Sequence, residues 1–301
     1  MEPIVDRERY VFHGLSGKNG QVKRSQEETI KSAIIDEIAD LDPYYDKSRN
    51  MIMGQNSFSI VRLVKNIYST STLFGLYRLI RILKIHQIET LEDVKNKPGT
   101  LIINSGENLG DFNHQDELCF STPNKTSING MSCDYGGSWA LFIEQAVGIV
   151  LPYDEVFGGY NKSDNYNGIF EDEIRIKGSI DNPNIYAISL PVTSEVGNEK
   201  DKTSRLRSLE YWKTNISIVK AILEKLGYPD VHIVDSMSGY NLEDPEVIQG
   251  FRAVIEGREG IKESINYINW SHDSMTFLKA LKQYAMQLNN NNKAKDEEIS
   301  L

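Results

Sequence analysis

Thr100-Leu101-Ile102-Ile103-Asn104-Ser105-Gly106-Glu107-Asn108-Leu109-Gly110-Asp111-Phe112-Asn113-His114-Gln115-Asp116-Glu117-Leu118 runs from an apolar strand through a polar, glycine-bearing loop into adjacent carboxylates. Pro98-Gly99 is a turn that launches the strand Leu101 to Ile103. A buried strand that empties into Asn and Gly sets main-chain N–H groups and a side-chain amide at the carboxyl end of a sheet, where α/β folds hold ligands. The acids then have two readings. Asp116-Glu117 closes a site, or it opens a surface helix, whose first turn favours carboxylates through the helix dipole.

Outward from this stretch the chain alternates between strand and helix patterns, which predicts an α/β fold, a mixed sheet flanked by helices. Arg9-Tyr10-Val11-Phe12 is a strand leading into a glycine loop, and Gln26 to Ala39 carries Ile30, Ile34 and Ile38 at helical spacing. Residues 57 to 88 form one long or two short helices. After Ile149-Val150-Leu151, strands fall at Asn184 to Pro191 and Val231 to Val234, and helices at Ser204 to Leu226, Asp244 to Ile255 and Ile261 to Leu288. Asp244 before Pro245 suits an N-cap. The expected organisation is an N-terminal strand and helical region (1–97) packing on an α/β core (98–288), followed by a polar tail (289–301) that cannot bury surface and is expected to be disordered.

Composition narrows the function classes. The 301 residues carry a net charge of −10, which argues against a nucleic-acid surface, since such surfaces need clustered Lys and Arg. No stretch has the run of apolar residues that a membrane span needs, and Met1 to Asp6 lacks the features of a secretory signal. Two cysteines, Cys119 and Cys133, give neither a disulfide framework nor a zinc cluster, so the reducing cytoplasm is the expected setting.

Two further segments attract attention. Asp134-Tyr135-Gly136-Gly137-Ser138-Trp139 precedes a helical pattern, and glycines before a helix suit a diphosphate or a plain tight turn. From Tyr153 to Glu173, Asp154, Gly158, Gly159, Asp164 and Asp172 are interleaved with aromatic residues. These carboxylates suit orienting a ribose, activating water or coordinating a divalent ion through oxygen, or else form a solvated rim. His13 beside Gly14 suits an oxyanion loop, but Asp235-Ser236-Met237-Ser238-Gly239 does not supply the matching G-x-S-x-G nucleophile.

The order of Asn104, Asn108, Gly110, Gln115, Asp116, Glu117, Leu118, Phe120 and Pro123 resembles the signature of the macrodomain-type poly(ADP-ribose) glycohydrolases, with Asp116 at the first acidic position of that family's Gln-Glu-Glu. The resemblance implies a macrodomain-like sheet and hydrolysis of an ADP-ribosyl bond, with no cofactor beyond ADP-ribose as ligand or product. It makes Glu117 the acid/base and Asp116 the group that orients the ribose. Asn104 and Asn108 bind the distal ribose, Gly136-Gly137 and Gly158-Gly159 face the diphosphate, and Tyr10 or Phe12 stacks on adenine. Should Asp116-Glu117 only start a helix, Asp154, Asp164 and Asp172 inherit the catalysis. A reader that binds ADP-ribose without cleaving it is the alternative. A third reading is a transferase, because Ser69-Thr70-Ser71 with Glu171-Asp172-Glu173 resembles the paired elements of arginine-specific ADP-ribosyltransferases. The acid-rich end, Asp296-Glu297-Glu298-Ile299-Ser300-Leu301, is similar to the translocation signal of Dot/Icm type IV effectors. That similarity implies a modified host protein as substrate, ubiquitin among the candidates.

Overall fold

The computed structural model describes residues 1–5, 9–15, 27–54, 59–90, 92–93, 117–121, 147–157, 173–257 and 273–299. Its main sheet is built from short runs whose side chains alternate between two covered faces. These are β1 (Tyr10–Gly14), β5 (Glu117–Ser121), β6 (Gly148–Pro152), β7 (Glu173–Lys177), β9 (Ala187–Leu190) and β10 (His232–Asp235). Their order is β10-β9-β6-β1-β5-β7, with β9 and β10 parallel and every other neighbouring pair antiparallel. Two small pairs stand apart: β2 (Tyr45–Asp46) with β3 (Met51–Ile52), and β4 (Gln87–Ile88) with β8 (Ile180–Asp181). Mixed helix and sheet agrees with the α/β expectation.

The helices are α1 (Glu27–Ile38), α2 (Ile60–Lys65), α3 (Thr70–Ile85), the short α4 (Tyr153–Phe157), α5 (Val192–Gly197), α6 (Lys202–Lys225), α7 (Pro245–Glu256) and α8 (Asp273–Ile299). Side-chain oxygens of Ser59, Ser69, Asp201 and Asp244 accept main-chain N–H groups at the starts of α2, α3, α6 and α7, which satisfies donors the helices cannot pair internally. Gly257, at φ +67°, ends α7 in the left-handed conformation that glycine adopts without strain.

Val11, Leu118, Phe120, Ile149, Ile188, Leu190 and Ile233 project from the sheet into the principal core, where they meet Ile30, Leu76, Ile80, Ile218, Leu223 and Phe251 from the helices. The opposite face carries Phe12, Val150, Ala187 and Val234, packed with Val5 from the N-terminal segment and flanked by Tyr10 and Tyr186. The division expected at residue 97 is therefore corrected. β1 is an inner strand, and α1 to α3 share one core with α6 and α7, because five residues of the N-terminal segment supply hydrogen bonds to both β5 and β6. The disordered tail is corrected as well, since α8 continues to Ile299 and the Met1 ammonium donates to Asn289 Oδ1 at 3.1 Å. Polarity alone did not end that helix. The segment from Asn289 to Ile299 holds no Gly or Pro, and its Lys, Ala and Glu favour helical backbone.

Gly148 marks the tightest point of the sheet. It lies opposite Gly14 on one side and Ser189 on the other, and a Cβ placed there would come within 2.6 Å of Ser189 Oγ and 3.3 Å of the His13 carbonyl oxygen. Gly148→Ala is expected to cost about 1–3 kcal/mol of stability through overpacking. Urea unfolding of Gly148→Ala and of the double variant Gly148→Ala/Ser189→Ala checks this. No recovery in the double variant would place the strain elsewhere.

Candidate functional site at one edge of the sheet

Strand direction sorts the expected site residues. β1, β7, β9 and β10 run one way and β5 and β6 the other, so one edge of the sheet gathers the carboxyl ends of the first four and the amino ends of the last two. We call this the upper edge. Glu117 opens β5 there, in register with the exposed Lys177 that closes β7. Neither the helix start nor the loop setting holds for Glu117, because Leu118 and Phe120 are buried at alternate positions and their burial imposes strand geometry on the residue before them.

Asn104, Asn108, Gly110, Gln115, Asp116, Gly136, Gly137, Gly158, Gly159, Asp164 and Asp172 lie outside the described residues, as do Pro123, Glu171 and Cys133. The described strand ends still divide these segments. The chain enters β5 and β6 at the upper edge, whereas it leaves β6 through α4, and enters β7 at Glu173, at the lower edge. Glu117 and Glu173 therefore sit at opposite ends of the sheet.

Adenine stacking by Tyr10 or Phe12 beside Glu117 is corrected. Phe12 is 4 % exposed and fills the smaller core, since the alternation of β1 turns it inward. Tyr10 pairs with Pro152 at the lower edge, and its ring is stacked on Tyr186 with centroids 4.4 Å apart. His13, proposed for an oxyanion loop, is an inner-strand residue whose ring lies 5.2 Å from that of Phe120.

Two upper-edge features were not singled out from sequence. Arg78, on α3, donates from Nη1 to the Leu15 carbonyl oxygen at 2.9 Å, just past the end of β1. Its residue is partly exposed, but burial of the guanidinium pushes the pKa down to about 10, so it stays charged at neutral pH. Nothing in its helical pattern distinguishes Arg78 from Arg81 or Lys84, which pair with Glu37 at 3.2 and 2.5 Å.

The second feature is Asp235, fully buried at the carboxyl end of β10. Its carboxylate accepts from Thr193 N and Oγ1 at 2.7 Å each, from Ser238 N at 2.7 Å and from Ser238 Oγ at 2.6 Å. One charge thus ties the ends of the parallel pair to α5 and to the turn closed by Gly239, whose φ is +71°. Burial, and then the charge of Asp235, push the Tyr240 hydroxyl pKa up. An Asp followed by Ser-x-Ser-Gly after an apolar strand is the available sequence signal, because Asp bonds readily to the main chain and hydroxyls just beyond it. The Ser236 hydroxyl beside it is buried and has no hydrogen-bond partner among the described residues.

Ser69-Thr70-Ser71 starts a helix: Ser69 Oγ accepts from Thr72 N at 3.3 Å. Close by, the buried Thr72 hydroxyl, the Tyr211 hydroxyl and both polar atoms of the Asn215 amide complete no hydrogen bonds among the described residues. Burial raises the Tyr211 pKa, while Asn215, Thr72 and the Ser69 main chain draw it down. A separate cleft of about 560 Å³ lies between α1 and the β2–β3 pair. Of its lysines, Lys31 pairs with Glu27 at 2.6 Å and Lys47 with Asp40 at 3.2 Å, and Lys65 Nζ lies over the Tyr45 ring, 5.9 Å from its centroid.

Among the described residues no group of three or more His, Cys, Asp or Glu is placed to hold a metal ion, and no helix is long and apolar enough to cross a membrane. Compared with protein-family models, curated proteins and solved structures, the chain matches none.

Proposed function

We propose that this chain hydrolyses an ADP-ribosyl bond at the upper edge of the sheet, with Glu117 as the acid/base. The observation that carries the reading is the position of Glu117: the acid that resembles the catalytic glutamate of the glycohydrolases opens an interior strand at the edge where the carboxyl ends of β1, β9 and β10 also lie. Open α/β sheets bind their ligands at such ends. In the reaction, water adds to the anomeric carbon as the bond to the leaving group breaks, through an oxocarbenium-like transition state. The Glu117 carboxylate takes the proton from water and passes it to the departing atom, so the products are free ADP-ribose and the unmodified acceptor and the carboxylate is restored. Asp116 holds the ribose and Asn104 the distal hydroxyls in this scheme. The acceptor is a modified protein, and the acid-rich C-terminal residues favour one encountered in a host cell.

Calorimetric titration of free ADP-ribose into the full chain and into Asn104→Ala tests the binding half of the proposal. Saturable binding that weakens about tenfold or more in the variant is expected, the loss of roughly 1.4 kcal/mol of hydrogen bonding. Absence of binding at millimolar ligand would sink it.

A further inference from the structure

We infer that Arg78 is an anion-binding residue of the upper edge, whose guanidinium receives the diphosphate of a nucleotide ligand. The inference rests on the ADP-ribose reading for the identity of the nucleotide, though not for the chemistry of the anion. It begins from a contrast along a single helix. Arg81 and Lys84 lie three and six residues beyond Arg78 on α3, and both reach the Glu37 carboxylate. Among the described residues, Arg78 has one partner, the Leu15 carbonyl oxygen.

A neutral carbonyl engages one N–H of the guanidinium, and no carboxylate among the described residues compensates its charge. The side chain is partly exposed, so its remaining N–H donors stay open to an anion arriving from water, which would complete the charge. The planar fork of Arg matches two oxygens of a phosphate at once, which a lysine at the same place cannot do.

Position agrees with that chemistry. Leu15 is hydrogen-bonded through its N–H to the Val147 carbonyl at 2.9 Å, so the carbonyl held by Arg78 belongs to the point where β1 leaves the sheet beside the start of β6. β1 pairs with β5 through Phe12 and Ser121; three residues on from Phe12 and three back from Ser121, Leu15 comes level with Leu118. The guanidinium therefore stands next to the strand end that begins with Glu117.

Calorimetry and thermal unfolding of the full chain, Arg78→Met and Arg78→Lys with inorganic pyrophosphate and with ADP-ribose test the inference. Wild type is expected to bind pyrophosphate and to unfold at higher temperature in its presence. Arg78→Met should bind both ligands about tenfold or more weakly, with Arg78→Lys between the two, and ligand-free Arg78→Met should unfold close to wild type because it loses one hydrogen bond from a partly exposed side chain. Equal pyrophosphate affinity in wild type and Arg78→Met, or none in wild type at millimolar concentration, overturns the assignment. The two proposals fail differently. If ADP-ribose binds wild type and Arg78→Met alike, Arg78 is not the anion residue and the ADP-ribose reading stands. If pyrophosphate binding depends on Arg78 but ADP-ribose binds no tighter than pyrophosphate, the anion site stands and the ADP-ribose reading falls.

Discussion

Glu117→Gln is expected to slow release of ADP-ribose from a modified protein by about 10²- to 10⁴-fold, the range over which a positioned acid/base acts, while the affinity for free ADP-ribose stays within about twofold. The amide fills the same volume but cannot take a proton from water. Strand pairing protects the variant from a folding artefact, because the main-chain bonds of β5 to β1 and β7 do not depend on the side chain of its first residue. Single-turnover release from mono-ADP-ribosylated protein, read beside calorimetry on the same preparations, separates the outcomes. Lost turnover with binding intact supports the hydrolase. If wild type binds ADP-ribose and releases none from any linkage tried, the chain is a reader. Turnover unchanged in Glu117→Gln would move catalysis to another carboxylate, and NAD consumption would turn attention to the transferase reading.

Asp235→Ala is expected to destabilise the fold by about 3–5 kcal/mol, because it strands buried donors that now share one carboxylate. Thr193 N, Thr193 Oγ1, Ser238 N and Ser238 Oγ all point at it, and Asp235 itself is fully buried. Set against a typical total of about 5–15 kcal/mol, such a loss threatens folding at physiological temperature. Asp235→Asn, with its amide oxygen where Thr193 Oγ1, Ser238 N and Ser238 Oγ converge, sets an N–H₂ against Thr193 N alone, so it should recover a large part of the loss. Urea unfolding measures both. A loss under about 1 kcal/mol for Asp235→Ala would show that α5 and the turn at Gly239 hold the end of β10 without the charge.

Much of the element pattern was legible in the sequence because it depends on neighbours along the chain. Ile30, Ile34 and Ile38 mark α1 by their spacing, Asp244 with Pro245 starts α7 where a cap and a proline at the first position predict it, and the apolar runs at Val150, Ile188 and Ile233 became β6, β9 and β10. Two errors came from reading composition where context ruled. The polar end after Asn289 looked unable to fold, but its residues extend a helix already anchored through Phe277, Leu278 and Leu281. Asp116-Glu117 read as the close of a site or as a helix start, and burial of Leu118 and Phe120 draws Glu117 into a strand rather than a helix.

The site was less legible because its parts are joined across the sheet. Sequence alone determined the residue types, the apolar periods, the caps and the acid pair that resembles a glycohydrolase motif. It also determined a charge balance unsuited to phosphate backbones. The tertiary structure decided that β1 is an inner strand and that Glu117 and Tyr10 stand at opposite edges. It decided too that Asp235 is an anchor and that Arg78, rather than Arg81 or Lys84, is left with a carbonyl for its partner. The physical reason is that periodicity and capping act over a few residues, whereas strand order, register and the desolvation of a charge depend on which distant segments meet around it.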